Sequence, residues 1–142
     1  MTVFEAAMYT KLSGDGTLTG YLSSYGGLPA VFSDAAPEDA EEMYLVYTID
    51  RLADENLAIM AFNVMVDLYG RSSTRAQVRS ASERVEFLLD HATLTDPRAR
   101  HDTIRTYLFS AGPVPEPDSQ KIHYNLQFTA RAGRKAWAAQ LT

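Results

Sequence analysis

The residues best suited to chemistry lie close together in the chain: Asp90, His91, Asp96, His101 and Asp102 could let imidazoles and carboxylates share a metal ion or a proton. A structural explanation competes with that one. Asp90 and His91 close an amphipathic pattern, where a histidine complements the negative end of a helix dipole, and Asp96-Pro97 is a turn dipeptide. The stretch is therefore read as structural, with no metal assigned. The third histidine, His123, falls on the more polar face of the last strand and shows no partner in the sequence.

Other chemistry is missing. Gly14-Asp15-Gly16-Thr17-Leu18-Thr19-Gly20 approaches a dinucleotide fingerprint, but its third glycine comes one position late and it follows a helix rather than a strand, so it reads as a turn. The chain has no cysteine, which removes thiolate zinc sites, iron-sulfur clusters, disulfides and cysteine nucleophiles together. There is no P-loop, no GxSxG elbow and no HExxH helix. The expectation is a protein that is not an enzyme, with no catalytic residue and no cofactor.

The 142 residues, 46% hydrophobic and 22% charged, fit one globular domain able to bury roughly 70% of its unfolded surface. The longest apolar stretch, Leu57 to Phe62, is too short to cross a bilayer, and the amino end lacks a signal-peptide pattern, so a cytoplasmic protein without membrane partners is expected. A net charge of −5 argues against recognition of nucleic acid. The charge is uneven: Asp34, Glu38, Asp39, Glu41 and Glu42 lie together with no basic residue, whereas the only charges from Lys121 onward are Lys121, Arg131, Arg134 and Lys135. These ends are either solvated faces or complementary surfaces between copies, in which the basic end of one subunit meets the acidic segment of the next and closes a ring. Trp137, the single tryptophan, lies in the tail 132–142 and is expected to dock on its own domain or a neighbour. The eight tyrosines read first as strand packing and second as interface residues.

Periodicity supplies the elements. Val3, Ala6, Ala7 and Leu12 predict a short helix ended by Ser13-Gly14-Asp15-Gly16, Thr17 to Ser24 could add a further helical turn or two, and Ala30 to Ser33 reads as a short strand. Met43 to Asp50 and Leu57 to Tyr69 alternate as a hairpin of two strands. Val78, Ala81, Ser82, Val85, Leu88 and Leu89 then recur at three and four, predicting an amphipathic helix over Thr74 to His91, capped by Ser72, Ser73 or Thr74. His101 to Ser110 and Lys121 to Arg131 are further strands, joined by a loop over Ala111 to Asp118 whose three prolines cannot continue a ladder. The sum is a single α+β domain: a mainly antiparallel sheet of four or five strands, an N-terminal helix, and one long amphipathic helix packed on one face.

Taken in order, these elements resemble the small tail-terminator, or tail-completion, proteins of long-tailed bacteriophages. The carriers are the N-terminal helix and turn over Val3 to Leu18, Val31-Phe32-Ser33 leading through Ala36-Pro37 to Met43-Tyr44-Leu45-Val46-Tyr47, then Val64-Met65-Val66-Asp67-Leu68-Tyr69, Val85-Glu86-Phe87-Leu88-Leu89 and Tyr124-Asn125-Leu126-Gln127-Phe128. The resemblance implies a virion protein at the head-proximal end of the tail, assembled in the host cytoplasm. It implies a ring, a hexamer, that caps the tail tube, stops its polymerisation and presents a surface for joining the head. Its partners would be further copies of itself, the major tail tube protein and a head-completion or connector protein. A head-side connector and a small-molecule-binding domain are the alternatives. Interface residues assigned from the charge pattern are Asp34, Glu38, Asp39, Glu41, Glu42, Arg131, Arg134, Lys135 and Trp137.

Overall fold

A computed structural model describes residues 3–53, 55, 59–94 and 101–134. The elements run α1 (Val3–Ser13), α2 (Gly16–Thr19), β1 (Ser24–Tyr25), β2 (Leu28–Pro29), β3 (Val31–Ser33), β4 (Tyr44–Arg51), β5 (Ile59–Arg71), α3 (Arg75–Leu89), β6 (Ala92–Leu94), β7 (His101–Val114) and β8 (Lys121–Arg134). The first two strands form a separate hairpin, turned by Gly26 and Gly27 at φ 59° and 81°. Two consecutive positive φ values are what a two-residue turn matched to strand twist requires, and glycine supplies them without steric cost.

The main sheet has six strands in the order β3-β4-β5-β8-β7-β6, not four or five. It is mixed, because β3 joins β4 in parallel while every other pair is antiparallel. The edge strands β3 and β6 are three residues each; β3 matches the short strand expected over Ala30 to Ser33, whereas β6 follows α3 almost directly and is too short for alternation to mark it. The long central strands behave as their pattern predicts. Along β5, Phe62, Val64, Val66, Leu68 and Gly70 are buried while the alternate residues are only partly so. Leu45 and Tyr47 of β4, and Leu126 and Phe128 of β8, complete the same buried face.

Both long helices pack on this face. The α3 residues buried are the predicted stripe Val78, Ala81, Ser82, Val85, Leu88 and Leu89, and each large apolar side chain so buried contributes about 1.5–3 kcal/mol. In α1 the stripe is Phe4, Ala7, Met8 and Leu12, with Ala6 only half-buried, so the predicted face is rotated toward larger side chains. The sheet curls around these helices, since α1 touches both edge strands, β3 and β6. Asp15 joins two helices: it caps α2 by accepting the Leu18 N–H at 2.8 Å and also accepts from Arg84 of α3 through Nε at 2.9 Å and Nη2 at 2.8 Å. That bidentate pair holds the Asp15 carboxyl below the usual carboxylate range. Thr74 precedes α3, but its hydroxyl bonds back to Arg71 N–H and C=O rather than into the helix.

One strand is longer than its sequence suggests. β7 continues through Ala111, Gly112 and Pro113 to Val114, where a loop was expected, with Pro113 opposite Tyr124. Beyond Thr106 this strand lies at the sheet edge, because β6 covers only Ile104 to Thr106. An edge tolerates proline, whose missing N–H can face outward.

Candidate functional site

On the face of the sheet away from the helices, the register brings chemically distinct residues into rows. Tyr44 lies opposite Tyr69, and Tyr69 opposite His123. Their rings stack, Tyr44 on Tyr69 at 4.9 Å and Tyr69 on His123 at 4.3 Å, and Phe32 and Tyr25 extend the row by edge contacts of 6.2 and 5.4 Å. The row thus runs from the small hairpin across β3, β4 and β5 to β8. Burial, with the nearby Asp67, Tyr44 and Glu116, pushes the Tyr69 hydroxyl up to about 12.

The next row places Asp67 opposite Asn125. His123 Nε2 lies 2.7 Å from Asp67 Oδ1, its Nδ1 lies 3.0 Å from Glu116 Oε1, and Asn125 Nδ2 donates to the same Asp67 oxygen at 2.8 Å. The lone histidine without a readable partner is therefore held between two carboxylates. Sequence reasoning missed this because Asp67 is 56 residues away and becomes a neighbour only through the β5–β8 register. The shared polar parity of Asp67 and His123 was the available signal.

The acidic segment folds over the same end of the sheet. With Tyr44, Tyr69, Arg71, Glu116 and Lys121 it bounds an open cleft of about 1040 Å3. Both ends of the segment are pinned: Asp34 N–H donates to Tyr47 C=O, Met43 N–H donates to Tyr69 C=O, and these two residues adopt φ 68° and 70°. Left-handed backbone at non-glycine residues is costly and persists only where the surroundings enforce it. Asp39 accepts from the Tyr25 hydroxyl at 2.8 Å. Glu42 Oε2 lies 2.7 Å from Arg71 Nε; this is an ion pair by distance without hydrogen-bond geometry, since that buried oxygen has no hydrogen-bond donor. Asp34, Glu38, Asp39 and Glu41 are exposed.

The basic residues lie elsewhere. Arg131 is paired with Glu55 at 2.6 Å and stands opposite Arg105 on β7. Ten residues of β8 separate Arg131 from Lys121, which lines the acidic cleft; that is about 33 Å along an extended strand. Arg134 ends β8, opposite His101, but its side chain, like Lys135 and Trp137, lies outside the described residues. Arg131 thus lies at the opposite end of the sheet from the acidic segment, whereas Lys121 and Arg71 stand beside that segment.

Of the suspected stretch, Asp90 and His91 are held apart from the backbone of His101. Asp90 Oδ1 accepts the Leu108 N–H at 2.9 Å, and His91, 77% exposed, packs edge-on against Tyr107. His101 starts β7, seven residues or about 23 Å along the strand from Leu108. Asp96 and the side chains of His101 and Asp102 lie outside the described residues. Among the described residues no group of His, Asp and Glu is arranged to hold a metal ion, and no helix is long and apolar enough to cross a membrane.

The tail completion protein gp17 family matches this chain over residues 6–133. The chain belongs to that family. It is a tail structural protein in kind, and the family is not one of enzymes. Among solved structures the fold is similar to a chain from the virion of a native gene transfer agent particle, with a TM-score of 0.69 and 20% identity, covering 91% of this chain and 93% of that one. A second solved chain superposes with a TM-score of 0.58 at 13% identity, covering 92% of this chain and 93% of its own length. No curated protein matches the sequence.

Proposed function

We propose that this tail completion protein caps the head-proximal end of the tail tube as a ring, a hexamer, ends tube polymerisation and offers the surface on which the head is joined. Its partners are further copies of itself, the major tail tube protein and a head-completion or connector protein, and its place is the virion. The observation that carries the reading is the family match over residues 6–133. The likeness of the fold to a chain of a virion particle supports it.

The arrangement of charge supports the ring. The exposed acids Asp34, Glu38 and Glu41 lie at the Lys121 end of β8, about 33 Å along that strand from Arg131, so they cannot reach that basic end within one chain but can meet it head to tail between copies, and a contact of that kind closes into a ring when the rotation permits. The interface is assigned to Asp34, Glu38, Asp39, Glu41 and Glu42 on one side and Arg131, Arg134, Lys135 and Trp137 on the other. The test is mass in solution by light scattering over a concentration series at low and high salt. The reading expects species approaching six times the 15.7 kDa of one chain, weakened by salt. A Glu41→Lys, Glu42→Lys variant should be monomeric and regain assembly when mixed with Arg131→Glu, Arg134→Glu. Wild-type assembly indifferent to salt and to both variants would remove the charged interface.

A further inference from the structure

We propose that His123 is a pH-gated latch, which holds the loop between β7 and β8 against the sheet and thereby sets one wall of the acidic cleft. The proposal does not depend on the ring. Its basis is the geometry around one imidazole: Asp67 of β5 meets Nε2 at 2.7 Å and Glu116 of the loop meets Nδ1 at 3.0 Å. The three side chains are only 13%, 14% and 24% exposed, so water competes poorly for these contacts. The Tyr69 ring stacks on the imidazole at 4.3 Å and fixes its plane.

A neutral imidazole has a single N–H, and its other nitrogen is an acceptor. Facing two carboxylates, it can satisfy one and must turn a lone pair toward the other. The imidazolium donates to both. Asp67 is fixed within the central strand β5, whereas Glu116 stands on the loop and can turn its carboxylate to water, so a neutral ring keeps its one N–H toward Asp67, and the contact that gives way is the one to Glu116. The other charged or titratable groups on the flanking elements are Tyr69 and Arg71 on β5, Tyr44 opposite Tyr69 on β4, Lys121 two residues earlier on β8, Glu42 of the acidic segment, which meets Arg71, and Asp118 of the loop. Arg71 is engaged by Glu42 at 2.7 Å, and burial raises the hydroxyls of Tyr44 and Tyr69, so both stay neutral through the range in which an imidazole titrates.

The loop is built to respond as a unit. Its far end is held independently, by Gln120 C=O accepting from Ser72 N–H at 2.7 Å and by the Asp118 turn, whose carbonyl and side chain accept from Lys121 and Gln120. Its near end contains Pro115 and Pro117 around Glu116, which limit local rearrangement. Among the described residues the Glu116 contact to His123 is the one side-chain tie of that near end to the sheet. Glu116 also lines the cleft, so releasing it opens that wall and frees a negative charge beside the acidic segment.

NMR of the wild-type chain tests the latch through nuclear Overhauser contacts between the His123 ring and the Glu116 side chain, whose Oε1 lies 3.0 Å from Nδ1. These contacts should weaken roughly tenfold between about pH 5.5 and pH 8.5, the effect of losing one charge-assisted hydrogen bond, while those between His123 and Tyr69 stay unchanged. In Glu116→Gln the pH response of the contacts to residue 116 should vanish. Contacts between His123 and Glu116 that are the same at both pH values in the wild type, or a pH response that persists in Glu116→Gln, would overturn the proposal.

Discussion

At the scale of single residues, two ionisable groups report on packing in opposite pH ranges. Asp15, paired with Arg84 and capping α2, has a folded pKa below its ordinary 3.8. The stability it contributes is fully present above that value and is lost as pH falls through the lower folded one. Asp15→Asn, which can still cap, should cost about 1–2 kcal/mol at neutral pH and show a shallower loss in acid, as measured by urea unfolding at several pH values. Tyr69 behaves inversely: its pKa rises from 10.0 to about 12, so its contribution is present below pH 10 and disappears as pH climbs toward 12. Tyr69→Phe keeps the stacked ring and should flatten that alkaline loss, read from thermal melts over the same interval. Neither environment was legible beforehand. Asp15 looked like part of a glycine-rich turn, and its arginine lies 69 residues away. His123 was similarly opaque, since a histidine on a polar strand face acquires meaning only when register supplies its neighbours.

At the scale of elements, the long alternating and three-four patterns were readable because burial acts on every repeat of them. β4, β5, β8 and α3 therefore emerged near their true positions. Of the short edges, β3 matches the strand expected over Ala30 to Ser33, while β6 was missed because three residues hold less than two full periods and its pairing is decided by tertiary contact. The overlong β7 escaped for a different reason. Proline was read as ending the ladder, whereas at an edge it only removes an outward donor. This edge is also protected from pairing with other chains: a bulge at Phe109 interrupts the register, Asp90 occupies the Leu108 N–H, and Pro113 has no N–H to offer. Asp90→Ala should lower stability by about 1 kcal/mol by leaving that donor unpaired, seen as a reduced urea midpoint. Gly70 is a second element-level constraint. A methyl group there would lie 2.5 Å from Val78 Cγ2 and 2.9 Å from both Met43 Sδ and Thr74 Oγ1, where β5 passes under the start of α3. Gly70→Ala should therefore destabilise by about 1–3 kcal/mol through overpacking, measured by calorimetry.

At the scale of the whole molecule, the sequence was informative about the family of the chain and about how its charge is divided. The absence of cysteine and nucleotide motifs pointed away from catalysis, and the order of elements pointed toward tail-completion proteins, the family to which the chain belongs. The structure adds the spacing: the acidic segment is pinned over one end of the sheet while the arginines of β7 and β8 lie at the other. A sequence reveals two charged segments but not the strand length that separates them. The central claim is that this protein ends growth of the tail tube. It is tested most directly by electron microscopy of tubes assembled from the tube protein with and without this chain, measuring tube length and inspecting the ends. The account predicts tubes of limited length bearing a ring at one end when the chain is present, and longer tubes without it. Identical length distributions, with no ring at either end, would contradict it.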